Sequence, residues 1–423
     1  MFRIFRHREP ALLISGQAIS SFGDGVANVA LTILVIETTH SASKLGFYAA
    51  ARMIPLVAFL LVGGAIVDRL SRRTLMLISD SVRALLVSGV AVLSAVGQLH
   101  YWELILMAAL FGAFDSVFVP ATSALVPEIV PDDLLQSMNA VRSLSSSFVG
   151  GVLGPALGGV LAAWSTSLAL GVDGITFAVS ASALLLMRAT PRSAKSADSS
   201  ILQEIAQGIR FVCRTTWIWT TLAACAFGNA LIFNTSSILT PYVLLHNLHA
   251  AKFTVGVAFA LSGVAGTIGT VIVGSMPTPR RRIRVMWTSW LVSMGGALIL
   301  AVATNMWEVF LVPLIMSPTI MLGNVIWESM LQREVPRELL GRVSSVDWFV
   351  SLGLSPIGLA AAGVLVASVG VRNYLFASVA FCAIPGFMIL MSRRANAIDT
   401  GRRKITKVEQ ETGSTDGRSE APR

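Results

Sequence analysis

The sequence of 423 residues has little charge and few of the residues that build soluble catalytic sites. Only 13% of its residues are Asp, Glu, Lys or Arg, roughly half the share in an ordinary soluble domain, whereas 54% are hydrophobic. Its three cysteines have no CxxC spacing, and its five histidines lie in tails or in loops between apolar stretches. The composition excludes a soluble globular enzyme, and the spacings indicate neither a disulfide framework nor a metal site.

The chain also lacks a nucleotide-binding loop of the Walker type. It has no G-x-x-x-x-G-K-[ST] sequence and no Gly-Lys dipeptide, although it contains 35 glycines. We therefore expect secondary transport without a bound cofactor, energised by a proton gradient. Moving one charge through ~100 mV yields ~2.3 kcal/mol, enough to support uphill export.

Long apolar runs occupy most of the chain, and twelve of them are interpreted as membrane-spanning helices. A helix needs ~20 apolar residues to cross a bilayer, and small residues let such helices pack closely. The sequence thus predicts an all-α integral membrane protein. The predicted spans are 11–36, 46–67, 74–96, 101–125, 138–163, 168–187, 217–240, 253–275, 285–303, 308–328, 343–368 and 373–391.

The basic residues are distributed unevenly between the two sides that these spans define. Of the 32 Lys and Arg residues, 26 fall on the side of the N-terminus, and Lys44, Lys252 and Arg372 fall on the other. Because cytoplasmic loops are enriched in Lys and Arg, we predict a multi-pass inner (plasma) membrane protein with both termini in the cytoplasm. The net charge of +9 then needs no nucleic-acid partner to explain it.

Two segments outside the spans are predicted to be soluble. In the cytoplasmic linker 188–216, Ser200-x-x-Gln203 is typical of a capping box, and it precedes an amphipathic pattern formed by Ile205, Ile209 and Val212. We expect a helix there that lies under the membrane. The tail 393–423 is charged and has no aromatic residue, so we expect it to be disordered in the cytoplasm.

Two internal repeats divide the chain into similar halves. The stretch 130–141 resembles 335–346, an offset of 205, and Gly64 with the basic turn after it resembles Gly274 with 280–284, an offset of 210. Both offsets are close to half the chain. We predict two pseudo-symmetric six-helix bundles, 1–187 and 217–392, with a substrate site between them near the middle of the bilayer.

Two motifs resemble those of the major facilitator superfamily. The loop at 64–73 is similar to its signature, G-x-x-x-D-R-x-G-R-R, with Ser71 in place of a glycine; in span five, 150–159 matches in full the G-x-x-x-G-P-x-x-G-G motif of its drug/proton antiporters. The matching residues are Gly64, Asp68, Arg69, Arg72 and Arg73 in the loop, and Gly150, Gly154, Pro155, Gly158 and Gly159 in the span.

Shorter stretches resemble the subgroup that contains macrolide-efflux proteins and the enterobactin exporter. They are Phe22-Gly23-Asp24, Asp80-x-x-Arg83-Ala84, and Pro120-Ala121 with Leu125-Val126-Pro127. The resemblance extends over roughly residues 10 to 392. It implies the major facilitator fold and export by proton antiport. Span four lacks the arginine usual in that antiporter family, so the family's proton-relay assignment is not carried over.

Each motif has a conformational and a structural interpretation. The loop arginines can bridge acids on facing helix ends and latch one conformation, or they can anchor the loop to lipid headgroups. Gly150, Gly154 and Gly158 share one helix face, and Pro155 removes a backbone hydrogen bond and kinks the helix. That face is either a seal between conformations or an ordinary close-packed interface.

Charged residues inside spans are costly, so each is a functional hypothesis. Asp24 lies thirteen residues, ~20 Å, before Glu37, and with Gln17, Ser21 and Asn28 it forms a polar stripe. We expect Asp24 to bind a proton or a cationic substrate; the alternative is an acid that Arg52 neutralises for packing alone.

The remaining intramembrane charges have structural interpretations. We expect an Asp115–Arg142 ion pair, and we expect Asp80 and Arg83 to have a structural or gating role in which an acid receives Arg72 or Arg73. Asp173, Glu328 and Asp347 lie near predicted helix ends, where solvation explains them. In the C-terminal half, Asn234 and three tryptophans are candidates for a polar and aromatic cavity; the alternative for the tryptophans is an interfacial position. These three are Trp290, Trp327 and Trp348.

Together, these features predict a monomeric transporter, not an enzyme, that exports a small amphipathic compound (a drug, antibiotic or siderophore-like molecule) by proton antiport and alternating access. Its expected partners are membrane lipids, the substrate and protons, with no nucleic acid, metal or catalytic residue. One alternative is a proton-coupled or facilitative importer of a small metabolite. The other is a non-transporting receptor or lipid-handling protein on the same fold.

Overall fold

The structure is a computed structural model that describes residues 2–69, 71–131, 134–188, 201–275 and 279–391, and every regular element in these ranges is helical. A bilayer offers no hydrogen bonds to a peptide backbone, and a helix satisfies its own. After a short 3-10 helix at Phe2–Arg6, the helices are α1 (Arg8–Thr39), α2 (Ala42–Arg69), α3 (Arg72–Ala95), α4 (Tyr101–Ile129), α5 (Leu135–Leu144), α6 (Gly154–Trp164), α7 (Thr166–Leu186), α8 (Ile201–Arg214), α9 (Thr216–Gly228), α10 (Asn234–Tyr242), α11 (Phe253–Ser275), α12 (Arg282–Val302), α13 (Met306–Glu334), α14 (Arg337–Gly353) and α15 (Ser355–Met391).

These helices form the twelve crossings of an all-α membrane protein. Ten segments of the described chain are long and apolar enough to span a membrane. The last of them, 339–391, has 53 residues, more than twice the ~20 that one crossing needs, and Gly370 interrupts it with a left-handed φ of 82°. It therefore supplies two crossings, and the 28-residue helix α2 supplies another between α1 and α3.

Two spans are locally widened into π-helix. In the fifth span, the π-helical segment Ser145–Leu153 joins α5 to α6, and Pro155 follows at the start of α6. Proline has no N–H, so the carbonyl of Gly151 loses its normal helical partner. The seventh span contains π-helical turns at Asn229–Phe233 and Val243–Asn247, on either side of α10. Such irregularities are frequent at functional sites.

The two halves meet mainly along two helix pairs, α2 with α15 and α6 with α11, and the π-helical segment Ser145–Leu153 also contacts α11. Six spans separate the N-terminus from α8, so both lie at one end of the molecule, which we call the linker end; the opposite end is the far end. At the far end, Ser43 Oγ donates to the carbonyl of Gly363 at 3.1 Å. There Lys252 also pairs with Glu37 at 2.6 Å. Midway along α11, Gly263 packs against Gly151 of the fifth span.

The linker contains α8, which packs on α14 rather than standing apart from the bundle. A methyl group on Gly208 would lie 2.8 Å from the carbonyl oxygen of Arg342, whose side chain also contacts Gln207. Val212 is buried. Ser200, the predicted cap of this helix, and the tail 393–423 lie outside the described residues.

The sequence repeats occupy matching positions in the two halves. Residues 130–141 lead into the fifth span, and residues 335–346 lead into the eleventh span at α14. Six spans separate these two positions. The repeat therefore marks the turn that enters the fifth span of each bundle, as a pseudo-symmetric pair of six-helix bundles requires.

Candidate functional site

Four charged side chains form a cluster inside the N-terminal half. Arg83 of α3 is 3% exposed, and its guanidinium donates to Asp80 Oδ1 at 2.6 Å and to Asp115 Oδ1 at 2.8 Å. Arg52 of α2 donates to the other Asp115 oxygen at 3.1 Å. We call Arg52, Asp80, Arg83 and Asp115 the charged cluster. It contains two positive and two negative groups, so each charge has a partner, including the buried Asp80 and Arg83.

Neighbouring groups fix the charged cluster in position. Ser180 of α7 donates to Asp80 Oδ2 at 2.7 Å. The ring of Phe111 lies under Arg52, 4.6 Å from its guanidinium carbon, and the rings of Phe118 and Phe177 lie 4.3 and 4.7 Å from that of Arg83. Aromatic faces attract cations most strongly where water is excluded. The cluster thus ties α2, α3, α4 and α7 together.

The predicted Asp115–Arg142 ion pair is wrong. Arg52 and Arg83 bind the two carboxylate oxygens of Asp115, whereas the side chain of Arg142, on α5, has no hydrogen bond or ion pair with a described residue. Asp115 and Arg142 lie in the linker-end halves of neighbouring predicted spans, but depth does not determine a partner. The direction that each side chain faces around its helix determines it.

Asp80 also does not receive the loop arginines. Arg73 instead donates to the carbonyls of Leu184 and Leu185, at 2.6 and 2.7 Å, and Arg72 pairs with Glu128 of α4. Carbonyls at a helix C-terminus attract cations, which explains the position of Arg73 at the end of α7. The side chains of Asp68 and Arg69 and the surroundings of Gly64 lie outside the described part of the chain.

A cavity of about 590 Å³ lies between the two halves. We call it the central cavity. Its N-terminal wall carries Asp24, Asn28 and Arg52, and its C-terminal wall carries the hydroxyls of Ser262 and Ser317. It reaches Ser146 and Gly266 and therefore extends from the far-end contacts toward the linker end. This is the position expected of a substrate chamber in a two-bundle transporter.

Asp24 lies on the wall of this cavity without a hydrogen-bond partner among the described residues. The Asp24–Arg52 pair does not form, because Arg52 is bound to Asp115. A small adjoining cavity is lined by both side chains together with Tyr48 and Phe111. Asp24 is thus the one acid of the described central-cavity wall, and it lies next to the charged cluster without belonging to it.

The polar stripe on α1 divides between the cavity and the protein interior. Ser21, Asp24 and Asn28 line the central cavity, whereas Gln17 donates to Thr122 Oγ1 of α4 at 3.2 Å. The stripe therefore contributes both to the cavity wall and to the packing of α1 on α4.

Sequence reasoning placed Asp173 near a helix end, and the structure places it inside the bundle. It is the eighth residue of α7 and fully buried; one carboxylate oxygen accepts from Thr176 Oγ1 at 3.2 Å, and the other has no partner among the described groups. Gly23 of α1 faces it directly. The sequence feature that indicates this contact is Gly23, because a residue without a side chain next to Asp24 lets α7 pack closely against α1.

The antiporter-like motif serves two different interfaces. Gly150, Gly154 and Gly158 face α1 within the same half; a methyl group on Gly154 would lie 2.6 Å from the carbonyl oxygen of Phe22. Gly159 instead faces the other half, where a methyl group would lie 2.8 Å from the Cα of Gly256. Three of the glycines are therefore packing residues of one bundle, and the fourth belongs to the contact between bundles.

A second cavity, of about 350 Å³, lies within the C-terminal half, between α9, α12, α13 and α14. We call it the tryptophan cavity, because Trp287, Trp290, Trp327 and Trp348 line it. Asn234 has another role: its amide donates to Ser355 Oγ at 2.8 Å and joins α10 to α15. Among the described residues, no group of three or more His, Cys, Asp or Glu side chains is placed to hold a metal ion.

Comparison with known proteins agrees with this architecture. The sequence matches the Major Facilitator Superfamily over residues 13–351. It is 27% identical over 388 residues to the multidrug efflux pump Tap of Mycobacterium tuberculosis, covering 86% of this chain and 89% of that protein. It is 21% identical over 373 residues to macrolide efflux protein A of Streptococcus pyogenes, covering 86% and 91%.

Solved structures resemble the fold at lower identity. The crystal structure of the nucleoside transporter NupG gives a TM-score of 0.68 at 13% identity, covering 89% of this chain and 98% of that one. The D-xylose-proton symporter gives 0.68 at 15% identity, covering 90% and 97%. At such identity the likeness concerns the fold alone. The family match over most of the chain, together with twelve crossings around a central cavity, shows that this protein belongs to the Major Facilitator Superfamily and is a membrane transporter, not an enzyme.

Proposed function

We propose that this protein is a secondary efflux transporter that exports a small amphipathic compound in exchange for protons. The observation that carries the proposal is Asp24, which lines the central cavity without a hydrogen-bond partner among the described residues, beside an already paired charged cluster. The names of two relatives, a multidrug efflux pump and a macrolide efflux protein, support export as the direction.

The position of Asp24 suits a group that alternates between a proton and a substrate. Arg52 and Arg83 each already bind Asp115, so no described arginine neutralises Asp24 directly. An unpaired carboxylate within the membrane is costly, and either a proton or a bound cationic group lowers that cost. If the two exclude each other at Asp24, binding of one releases the other, which is the requirement for exchange.

Alternating access follows from the contacts between the halves. The bundles touch at the far end through small residues, among them Gly46 and Gly159, and the central cavity extends toward the linker end. If the halves moved apart at the far end and together at the linker end, the same cavity would open to the far side of the membrane. Such an interface of small residues can separate without leaving large apolar side chains unpacked.

The charge distribution supports the orientation we propose. By sequence, 26 of the 32 Lys and Arg residues belong to segments on the N-terminal side of the spans, so we assign the linker end to the cytoplasm, in the inner membrane, with both termini inside. With this orientation, the central cavity would open toward the cytoplasm, the state that loads an exported compound. We propose a monomer surrounded by lipid, with the proton gradient as its energy source and no cofactor.

The test is proton movement in proteoliposomes that contain a pH-sensitive dye and an imposed pH gradient. Erythromycin, tetracycline, a fluoroquinolone and a siderophore are added in turn to the native protein, to Asp24→Asn, and to the control Glu334→Gln. Glu334 is an exposed acid at the linker end of α13. The control removes the same charge outside the cavity.

We expect at least one compound to dissipate the gradient through the native protein and the control, and not through Asp24→Asn. Dissipation by Asp24→Asn at the native rate would reject Asp24 as the coupling group. If a compound accumulates in the direction of proton flow, the protein is an importer. If none of the compounds moves protons or is itself transported, antiport of this substrate class is rejected.

A further inference from the structure

The tryptophan cavity carries negative charge without a described positive partner. Glu328 of α13 and Asp347 of α14 both line it, and none of its described lining residues is Lys, Arg or His. Asp347 accepts hydrogen bonds from Trp327 Nε1 at 3.0 Å and from Ser351 Oγ at 3.2 Å, which hold its carboxylate in place. Glu328 is exposed and has no hydrogen bond or ion pair with a described residue.

The acid is part of a polar stripe on one face of α13. Asn324, Glu328 and Gln332 follow each other at intervals of four residues, all are exposed, and all line this cavity. Asn324 also accepts a hydrogen bond from Trp290 Nε1 at 3.3 Å. The stripe therefore presents its carboxylate to the cavity between two neutral amides.

The aromatic walls are fixed by edge-to-face packing. Trp290 packs against Trp287 with ring centroids 5.4 Å apart, and Trp327 packs against Trp217 at 5.7 Å. Trp348 is 59% exposed, so a ring face is open at this site. Trp287 is 3% exposed, and its indole N–H has no partner among the described groups. Indole faces attract cations, and more strongly when water is excluded.

We propose that the tryptophan cavity binds a hydrophobic organic cation, such as a quaternary ammonium or phosphonium ion, with Glu328 as its counter-ion and the indoles as its walls. An inorganic cation would need several oxygen ligands, and this cavity offers one free carboxylate. An organic anion would meet two carboxylates without a positive partner. A lipophilic cation satisfies both the charge and the apolar surface.

This proposal specifies a substrate class for the proposed efflux function. It rests on that function only where it assigns the bound cation a place in the transport cycle. Ile320 of α13 lines both the tryptophan cavity and the central cavity, so the two share a wall. A cation held by Glu328 therefore lies next to the chamber that contains Asp24. Binding itself needs neither a proton gradient nor transport.

The test is equilibrium binding of tetraphenylphosphonium to the purified protein in detergent, followed by quenching of tryptophan fluorescence. Tetraphenylborate, an anion of the same shape, is titrated in parallel. The variants are Glu328→Gln, Trp348→Phe and Trp348→Leu. The control is Glu334→Gln, an acid of the same helix outside the cavity lining; Asp24→Asn tests instead whether the cation is held in the central cavity.

We expect Glu328→Gln to raise the Kd for tetraphenylphosphonium about tenfold and to leave binding of tetraphenylborate unweakened. Trp348→Leu should weaken cation binding more than Trp348→Phe, because phenylalanine keeps an aromatic face. If Glu334→Gln weakened binding of tetraphenylphosphonium equally, the effect would be one of general surface charge, and the proposal would be overturned. An unchanged Kd in Glu328→Gln would overturn the proposal and leave antiport, which is measured separately in proteoliposomes, unaffected. A loss confined to Asp24→Asn would also overturn it and would place the cation in the central cavity, at the carboxylate proposed for proton exchange.

Discussion

The two halves share a backbone plan and differ in the chemistry of their interiors. Helices α4 and α13 each have 29 residues, and Asp115 is the fifteenth residue of α4, as Ile320 is of α13. Likewise Asp80 is the ninth residue of α3, and Trp290 is the ninth of α12. Where the N-terminal half places intramembrane acids, the C-terminal half therefore places a branched aliphatic side chain and an indole.

This comparison shows that pseudo-symmetry of helices does not extend to the groups that they position. In the N-terminal half, two arginines and two aspartates satisfy one another across three helices. In the C-terminal half, the described acids Glu328 and Asp347 line a cavity walled by tryptophans. We infer that the two halves have different roles: the N-terminal half carries the coupling charge, and the C-terminal half provides an aromatic surface with a carboxylate for the substrate.

Among the substitutions considered, replacement of Arg83 is expected to cause the largest loss of folding stability. Arg83→Met leaves Asp80 buried without its ion partner, and breaking a buried pair costs roughly 3–5 kcal/mol. The corresponding residue of α12 is Ser293, which is buried and donates to the carbonyl of Trp290 at 2.6 Å. Ser293→Ala should cost about 1 kcal/mol. Unfolding by sodium dodecyl sulfate, followed by circular dichroism, measures both.

The double variant Arg83→Met with Asp80→Asn separates loss of charge balance from loss of packing. Because it removes one acid together with the base, it should recover part of the stability lost by Arg83→Met. If Arg83→Met and Ser293→Ala destabilise the protein equally, the charged cluster does not distinguish the halves energetically.

Glycine contacts within one half and between the halves should respond differently to the same added volume. Gly154 packs on Phe22 inside the N-terminal half, whereas a methyl group on Gly46 would lie 2.5 Å from the carbonyl oxygen of Leu359 in the other half. We expect Gly154→Val to lower the stability of the protein by about 1–3 kcal/mol. Gly46→Val should leave stability nearly unchanged and separate the bundles at the far end.

Separation of the bundles at the far end can be measured by the reaction of a cysteine in the central cavity with a membrane-impermeant thiol reagent. In a background without the native cysteines, Asn28→Cys places a thiol on the cavity wall. In Gly46→Val, its labelling from the far side should rise and its labelling from the linker side should fall. Unchanged labelling together with reduced stability would mean that Gly46 is an ordinary packing residue.

The sequence was sufficient to predict the number and order of the membrane spans, because length and apolarity alone define a span. It was also sufficient to find Asp24, Arg52, Asp115, Asp80 and Arg83 as intramembrane charges. It was insufficient to pair them, since the partner of Asp115 depends on the rotation of α2, α3 and α4 about their axes. Asp173 and the tryptophan cavity were missed or only partly foreseen for the same reason: both arise where separate helices converge.

The smallest predicted effect concerns the ion pair between the halves. Lys252 and Glu37 are 2.6 Å apart at the far end, with 37% and 40% of their side chains exposed. Pairs so exposed contribute ~0–1 kcal/mol, which limits any shift between conformations to about fivefold. Lys252→Gln should therefore raise far-side labelling of Asn28→Cys slightly, and the difference should disappear at high salt, which screens the pair.

The exchanged pair, Lys252→Glu with Glu37→Lys, supplies the decisive control. It restores opposite charges at the same positions, so labelling should return to the native value if attraction between the halves is the cause. A persistent shift in the exchanged pair would assign the effect to helix capping or local packing instead. In that case the small-residue contacts, and not charge, would hold the far end closed, and charge would act in this transporter only through groups inside each half.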